Sequence, residues 1–148
     1  MPFPTDEQFE QLLNNGANRD QDHAPVIKIE MSKADFKATY LLSEIYPADP
    51  TIAFGLCDLH MGFPELGDVS LMELAEAASK YRLSVTVSPI NKPYPMSVYA
   101  RAARLEGEIT TDEADLSQAA YAMKINTISI TSQPHRLNSQ DRPPGLAV

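Results

Sequence analysis

Between Cys57 and Glu65 the chain places four side chains that could do chemistry: Cys57, Asp58, His60 and Glu65. A thiol, an imidazole and two carboxylates are the ingredients of a mixed metal site. Zinc sites usually show paired spacings such as Cys-x-x-Cys or His-x-x-x-His. Here there is a single cysteine, and the other histidines, His23 and His135, lie far away in polar segments. On a strand, Cys57 and Asp58 point to opposite faces. Cys57, Asp58, His60 and Glu65 are thus the metal candidates, but their spacing argues against a metal, and no cofactor is expected. The plainer role of Cys57 is that of a small buried hydrophobe.

The same stretch could hold a nucleophile if His60 folded back on Cys57. A neighbouring carboxylate opposes this, because like-charge repulsion disfavours the thiolate. Nothing declares the third orienting group or the oxyanion hole that such a centre needs. No catalytic residue is assigned. Paired carboxylates are the remaining option. Glu44, Asp58, Glu65 and Asp68 cluster in sequence, and two of them could converge for acid–base or magnesium chemistry. Acids are common throughout this half of the chain, so a solvated acidic rim explains them equally well. The glycine-containing runs GLCDLHMG and GFPELG lack the spacing and the lysine of a phosphate-binding loop. Arg101 and Arg104 share a helix face, where arginines commonly pair with acids such as Glu106 or Glu108.

The elements that must position these groups are readable from pattern and punctuation. Thr5–Asn15 predicts a helix, with Thr5 and Gln8 at capping-box spacing and Gly16 as its stop. Pro25–Met31 alternates and predicts a half-buried strand. Ala38–Tyr46 and Thr51–Leu59 predict two strands joined through the YPADP turn as an antiparallel hairpin. The Gly- and Pro-rich stretch after Leu59 reads as loop. In it Gly62 and Gly67 supply positive φ around a proline turn, and Phe63 and Leu66 tuck beneath as anchors. Ser70 and Glu73 have capping-box spacing and open a helix. Arg82–Ser88 predicts a strand, Met96–Glu106 a helix ended by Gly107, and Thr111–Lys124 a further helix. Ile125–Thr131 reads as a last strand, and 132–148 as a flexible, disordered tail. The expectation is a single α+β domain over 1–131, with a mixed or antiparallel sheet of about five strands and three to four helices.

The bulk composition sets further bounds. A chain of 148 residues is long enough for one ordinary core. No stretch has the roughly 20 apolar residues of a membrane span. The N-terminus has neither the basic nor the apolar region of a secretory signal. With one cysteine and no export signal, a cytoplasmic location is expected. The net charge is −8. Residues 1–76 hold 14 acidic and 4 basic side chains, and residues 77–148 hold 6 and 8. This lacks the electrostatic footprint of a nucleic-acid binder and suits either plain solubility or a basic partner surface.

The run ATYLLSEIYPADPTIAFGLCDLHMGFPELGDVSLMEL, Ala38–Leu74, resembles the core of a bacterial family of unknown function. PVIKI at Pro25–Ile29 and PMSVYARAARLEGEI at Pro95–Ile109 resemble its opening strand and a later helix. The resemblance covers about 5–109, leaving 110–148 as an extension. Tyr40 stands where the family commonly has Trp, and His60 where it often has Gly. The resemblance implies genes carried on plasmids and integrative elements, often near conjugation and anti-restriction genes, and no reaction. From it and from the charge we expect a non-enzymatic, protein-binding accessory of a mobile genetic element. An anti-defence role would have its acidic face meet a basic surface of a nucleic-acid-binding host effector, such as a restriction or CRISPR-type enzyme. The expected contact residues are Glu44, Asp49, Asp58, Glu65 and Asp68, with Phe63 as an apolar anchor. The alternatives are a metal-dependent hydrolase using Asp58, His60 and Glu65, and a structural accessory of conjugation or plasmid maintenance. Oligomeric state is left open.

Overall fold

The structure is a computed structural model, and it describes residues 4–131. The expectation of a flexible tail at 132–148 lies outside those residues. In chain order the elements are α1 (Asp6–Gly16), β1 (Ile27–Lys33), β2 (Phe36–Tyr46), β3 (Asp49–Asp58) and β4 (Glu65–Ser70). They are followed by α2 (Leu71–Lys80), β5 (Ser84–Pro89), α3 (Met96–Glu106) and α4 (Glu113–Thr131). The strands form one sheet in the order β4-β3-β2-β1-β5, antiparallel throughout. The α+β expectation holds. β1 to β4 form a meander, and α2 then carries the chain from the β4 edge to the opposite edge.

Strand alternation sorts the apolar side chains onto two faces. On one, Ile27, Ile29, Leu42, Ala53 and Val69 pack with Leu12 of α1 and Leu74 and Ala78 of α2. On the other, Leu41 and Leu56 pack with Val98, Tyr99 and Ala102 of α3 and Leu116 and Ala119 of α4. Helices thus cover both faces, and the Tyr99 hydroxyl, inside the second core, donates to the Lys92 carbonyl at 3.0 Å.

The local signals explain most boundaries. Thr5 caps α1 with the reciprocal capping box formed by Gln8. Gly16 ends that helix for a different reason from a left-handed turn. A Cβ there would lie 1.9 Å from the Ile45 carbonyl oxygen, so only glycine lets α1 close onto β2. Asn15 fastens the same contact, donating to the Ser43 carbonyl at 2.9 Å where β2 bulges between Leu42 and Glu44. The Tyr46–Pro50 turn is tighter than expected: Tyr46 pairs with Asp49, leaving Pro47 and Ala48 as the turn. Pro50 enters β3 at a register shift, where no ladder bond is asked of it.

Two of the expected elements differ. Ile125–Thr131 is not a strand but the last part of α4. Its β-branched residues favour a strand locally. Yet no Gly or Pro interrupts Glu113–Thr131, and the helix is already held against α3 by Leu116 and Ala119, so it propagates. The loop after Leu59 also ends earlier than expected, because Glu65–Ser70 is β4. Gly67 lies inside that strand, and of these two glycines Gly62 alone has a positive φ, at +89°. β4 escapes periodicity because its apolar residues serve both faces. Leu66 opposes Leu56 on one, and Val69 opposes Ala53 on the other. Among the described residues no helix is long and apolar enough to cross a membrane.

Candidate functional site

The register separates the four groups that looked like one cluster. Tyr40, Cys57 and Glu65 form a single cross-strand row on the α1–α2 face. Thr39 and Asp58 pair on the opposite face. Cys57 is half-buried, and burial, reinforced by the Glu65 carboxylate, pushes its thiol up to about 11. That keeps it protonated at neutral pH, the reverse of an activated nucleophile. Among the described residues no three His, Cys, Asp or Glu side chains gather as metal ligands.

Asp58 is 0% exposed, so it offers no charge to a partner. Its two oxygens are committed to backbone. Oδ1 accepts from the His60 amide at 2.8 Å, and Oδ2 from the Ile109 amide at 2.9 Å. One carboxylate thereby ties the β3–β4 loop to the segment between α3 and α4. Charge-assisted bonds of this kind are the stronger ones, and their loss in a buried setting is costly. His60 sits at φ +59°, a left-handed conformation that glycine adopts without strain. This gives a physical reason for the glycine that the resemblance implies there. Its Nε2 shares a hydrogen bond of 2.9 Å with the Thr39 hydroxyl, while Nδ1 lies 4.0 Å from Glu108. Asp58 Oδ2 is 3.9 Å from that same Nε2, so it does not orient the imidazole as a triad carboxylate would. Thr39 is itself buried.

The clamp holds up a surface loop. Leu59, Met61 and Phe63 are 51%, 71% and 80% exposed, and Leu105 near the end of α3 is 62% exposed. Phe63 is therefore not tucked under the loop as the sequence suggested. Leu66 does pack, against the α3–α4 core. Beside the tip runs an open groove of about 880 Å³ lined by Phe54, Phe63, Pro64, Leu66 and Arg104. The tip is thus apolar and solvent-facing on a fixed base, not the solvated acidic rim that the carboxylates suggested.

The expected acidic residues divide three ways. Asp58 is internal. Glu44 is 7% exposed and lies in a second recess with Arg19, Asp22 and His23. Burial raises its pKa, with His23 and Arg19 opposing the rise. Asp49, Glu65 and Asp68 are exposed. Asp68 accepts a 2.5 Å bond from the Tyr46 hydroxyl, and Arg19 stacks 4.4 Å over that tyrosine ring. Burial and the Asp68 bond push the phenol up to about 12. Asp68 and Glu65 project to opposite faces of β4, so the acids do not form one continuous face. Sequence reasoning missed Thr39, Leu59, Met61, Leu105 and the Ile109 amide. Leu59 and Met61 could have been found as large apolar residues in a Gly-rich loop. Thr39 and Ile109 carry no signal, because only the folded register brings them to Asp58.

No curated protein and no solved structure matches the chain. A family model does match over residues 4–110, that of the protein family of unknown function DUF2958. It spans every strand and the Asp58 clamp with both segments that the clamp joins. The chain belongs to the DUF2958 family.

Proposed function

We propose that the chain is a non-enzymatic binding protein that docks a protein partner at the β3–β4 loop. The observation that carries the reading is the exposed tip of Leu59, Met61 and Phe63, held by a carboxylate with no solvent exposure. Apolar anchors on a pre-organised support lose little entropy on binding. Exposed Glu65 lines the groove beside the tip and favours a basic partner surface. The hydrolase alternative finds less support. Its Glu65 lies on the sheet face opposite Asp58, and both Asp58 oxygens already accept backbone bonds.

Within this reading the partner is a nucleic-acid-binding host defence effector, and the chain is an accessory carried by a mobile element. That part is supported by the sequence resemblance and by the acidic N-terminal half. A structural role in conjugation would instead give co-purification with conjugation proteins. The test is affinity capture from bacterial host lysate, read by mass spectrometry, with the parent chain and a Phe63→Ser/Glu65→Lys variant. Both substituted residues are exposed, so thermal melting should be unchanged. A specific partner should fall at least about tenfold in the variant, as removal of a central anchor costs more than about 1.4 kcal/mol. Equal capture by a variant of unchanged melting temperature would sink the assignment of this surface.

A further inference from the structure

The sheet has two edges, and they differ in chemistry. β4, at one, carries Glu65 and Asp68. β5, at the other, reads Ser-Val-Thr-Val-Ser-Pro and has no charged residue. Edge strands of monomeric proteins are usually guarded by charge, because their free amides and carbonyls template further pairing. β5 lacks that guard in a chain of net charge −8.

Hydrogen-bond parity shows which groups face outward. Ile90 N–H donates to the Val26 carbonyl at 3.0 Å, and Ile27 pairs with Pro89. In an antiparallel ladder, alternate residues point to the same neighbour. Ser88, Thr86 and Ser84 therefore direct their backbone groups to β1, and Val85, Val87 and Pro89 direct theirs away from it. Proline at an outward position asks for no amide bond. No turn, loop or cap bond among the described residues occupies the Val85 or Val87 backbone.

Ser84–Ser88 is a palindrome, Ser-Val-Thr-Val-Ser. Set against its own copy about a two-fold axis at Thr86, it matches itself at every position. Val85 meets Val87 of the copy as a hydrogen-bonded pair, and these are the residues with outward groups. Thr86 meets Thr86 of the copy as the closer, non-hydrogen-bonded pair. The ladder has four hydrogen bonds and then stops. The next pair would join Pro89, which has no amide, to Leu83, whose amide already donates to Ala78 at 2.9 Å. Val85 and Val87 are partly buried against the α1–α2 core, so pairing also continues an apolar stripe from one copy into the other.

We propose that two copies of this chain pair through β5, antiparallel about Thr86, to give a continuous ten-stranded sheet. This surface lies at the opposite edge from β4. The dimer therefore leaves the β3–β4 loop of each copy free and makes the assembly bivalent. A contact of this size gives a weak dimer, populated at about 100 µM and dissociating on dilution. Raising the salt favours it, since two acidic chains approach.

Sedimentation velocity of the full chain tests the state, and cysteine cross-linking tests the register. The dimer has twice the 16.3 kDa chain mass. Thr86→Lys sets two ammonium groups against each other at the axis and should weaken self-association about fivefold. Thr86 is exposed, so the folded monomer is kept, which circular dichroism verifies. In a Cys57→Ala background, Thr86→Cys should cross-link to a dimer under mild oxidation, because Cα atoms of a non-hydrogen-bonded pair lie about 4.5 Å apart. Ser84→Cys should not, as its copies lie roughly 13 Å apart along the strands. A parent chain that stays monomeric at about 100 µM overturns the proposal, whether residues 132–148 or another protein cover the edge. So does a dimer that Thr86→Lys does not weaken or that cross-links as readily through Ser84→Cys.

Discussion

The strand β3 begins and ends with aspartate, and the two ends behave as opposites. At its start Asp49 is exposed and accepts from the Thr51 amide at 3.2 Å and the Thr51 hydroxyl at 2.6 Å. Both partners are two residues away, and the site orders little beyond its own turn. At the other end Asp58 is enclosed, and its partners include an amide 51 residues distant in sequence. One residue type thus shapes a turn at one end and joins two loops at the other. The difference lies in solvent and partners. In water an accepted bond replaces a water bond at little net gain, whereas inside the protein an unmet amide has no substitute.

Neutralising each aspartate in turn separates the two ends. Asp58→Asn turns one oxygen into an amide that cannot accept, so a buried N–H loses its partner. Unfolding free energy should fall by about 3 kcal/mol in urea titration, given the value of buried bonds to charged groups. Asp49→Asn should leave the urea midpoint nearly unchanged near neutral pH. The Thr51 bonds hold the Asp49 carboxyl below its ordinary value of 3.8. Its contribution is therefore present above that value and is lost as pH falls through the folded value. Equal losses from the two variants would end the distinction.

His60 sharpens the loop end at smaller scale. His60→Gly removes the left-handed strain and also the bond to Thr39, two effects of about 1 kcal/mol that oppose each other. His60→Ala keeps the strain and loses the bond. The glycine variant should be more stable than the alanine variant by about 1 kcal/mol, measured by thermal melting. The reverse order would mean that the imidazole contacts, not the backbone, decide the residue.

The smallest effect belongs to Glu44, beside the exposed end. Burial raises its pKa in the fold, so folding favours the protonated form. The stability from that preference is fully present below the ordinary value of 4.5 and is lost as pH rises through the folded value. Glu44→Gln should raise the melting temperature slightly near pH 7, and the gain should vanish as pH falls to 4.5. A gain that grew on acidification would show that the Arg19 interaction outweighs burial.

Much of the fold was legible because its signals are local. The caps at Thr5 and Ser70, the stop at Gly107 and the alternation of β1 all depend on neighbours within one or two turns. The errors came where local preference and packing disagreed. Ile125–Thr131 has strand-forming residues but extends a helix already packed upstream. β4 divides its apolar residues between two cores and so shows no clean alternation. For the candidate site, the chain pattern alone placed Cys57 and Asp58 on opposite faces and marked the Gly62 turn. It could not show that Phe63 stands in solvent, since an aromatic in a loop packs inward or outward according to what lies beneath it.

By itself, then, the sequence determined the α+β class, most element boundaries, the single-cysteine chemistry and the acidic balance of the N-terminal half. Each follows from composition or from contacts a few residues long. The tertiary structure alone decided that Asp58 is a clamp, that Glu65 faces away from it, and that β5 ends the sheet with its valine amides turned outward. Those are matters of register and strand order, set by side chains far apart in the chain that compete for the same two cores.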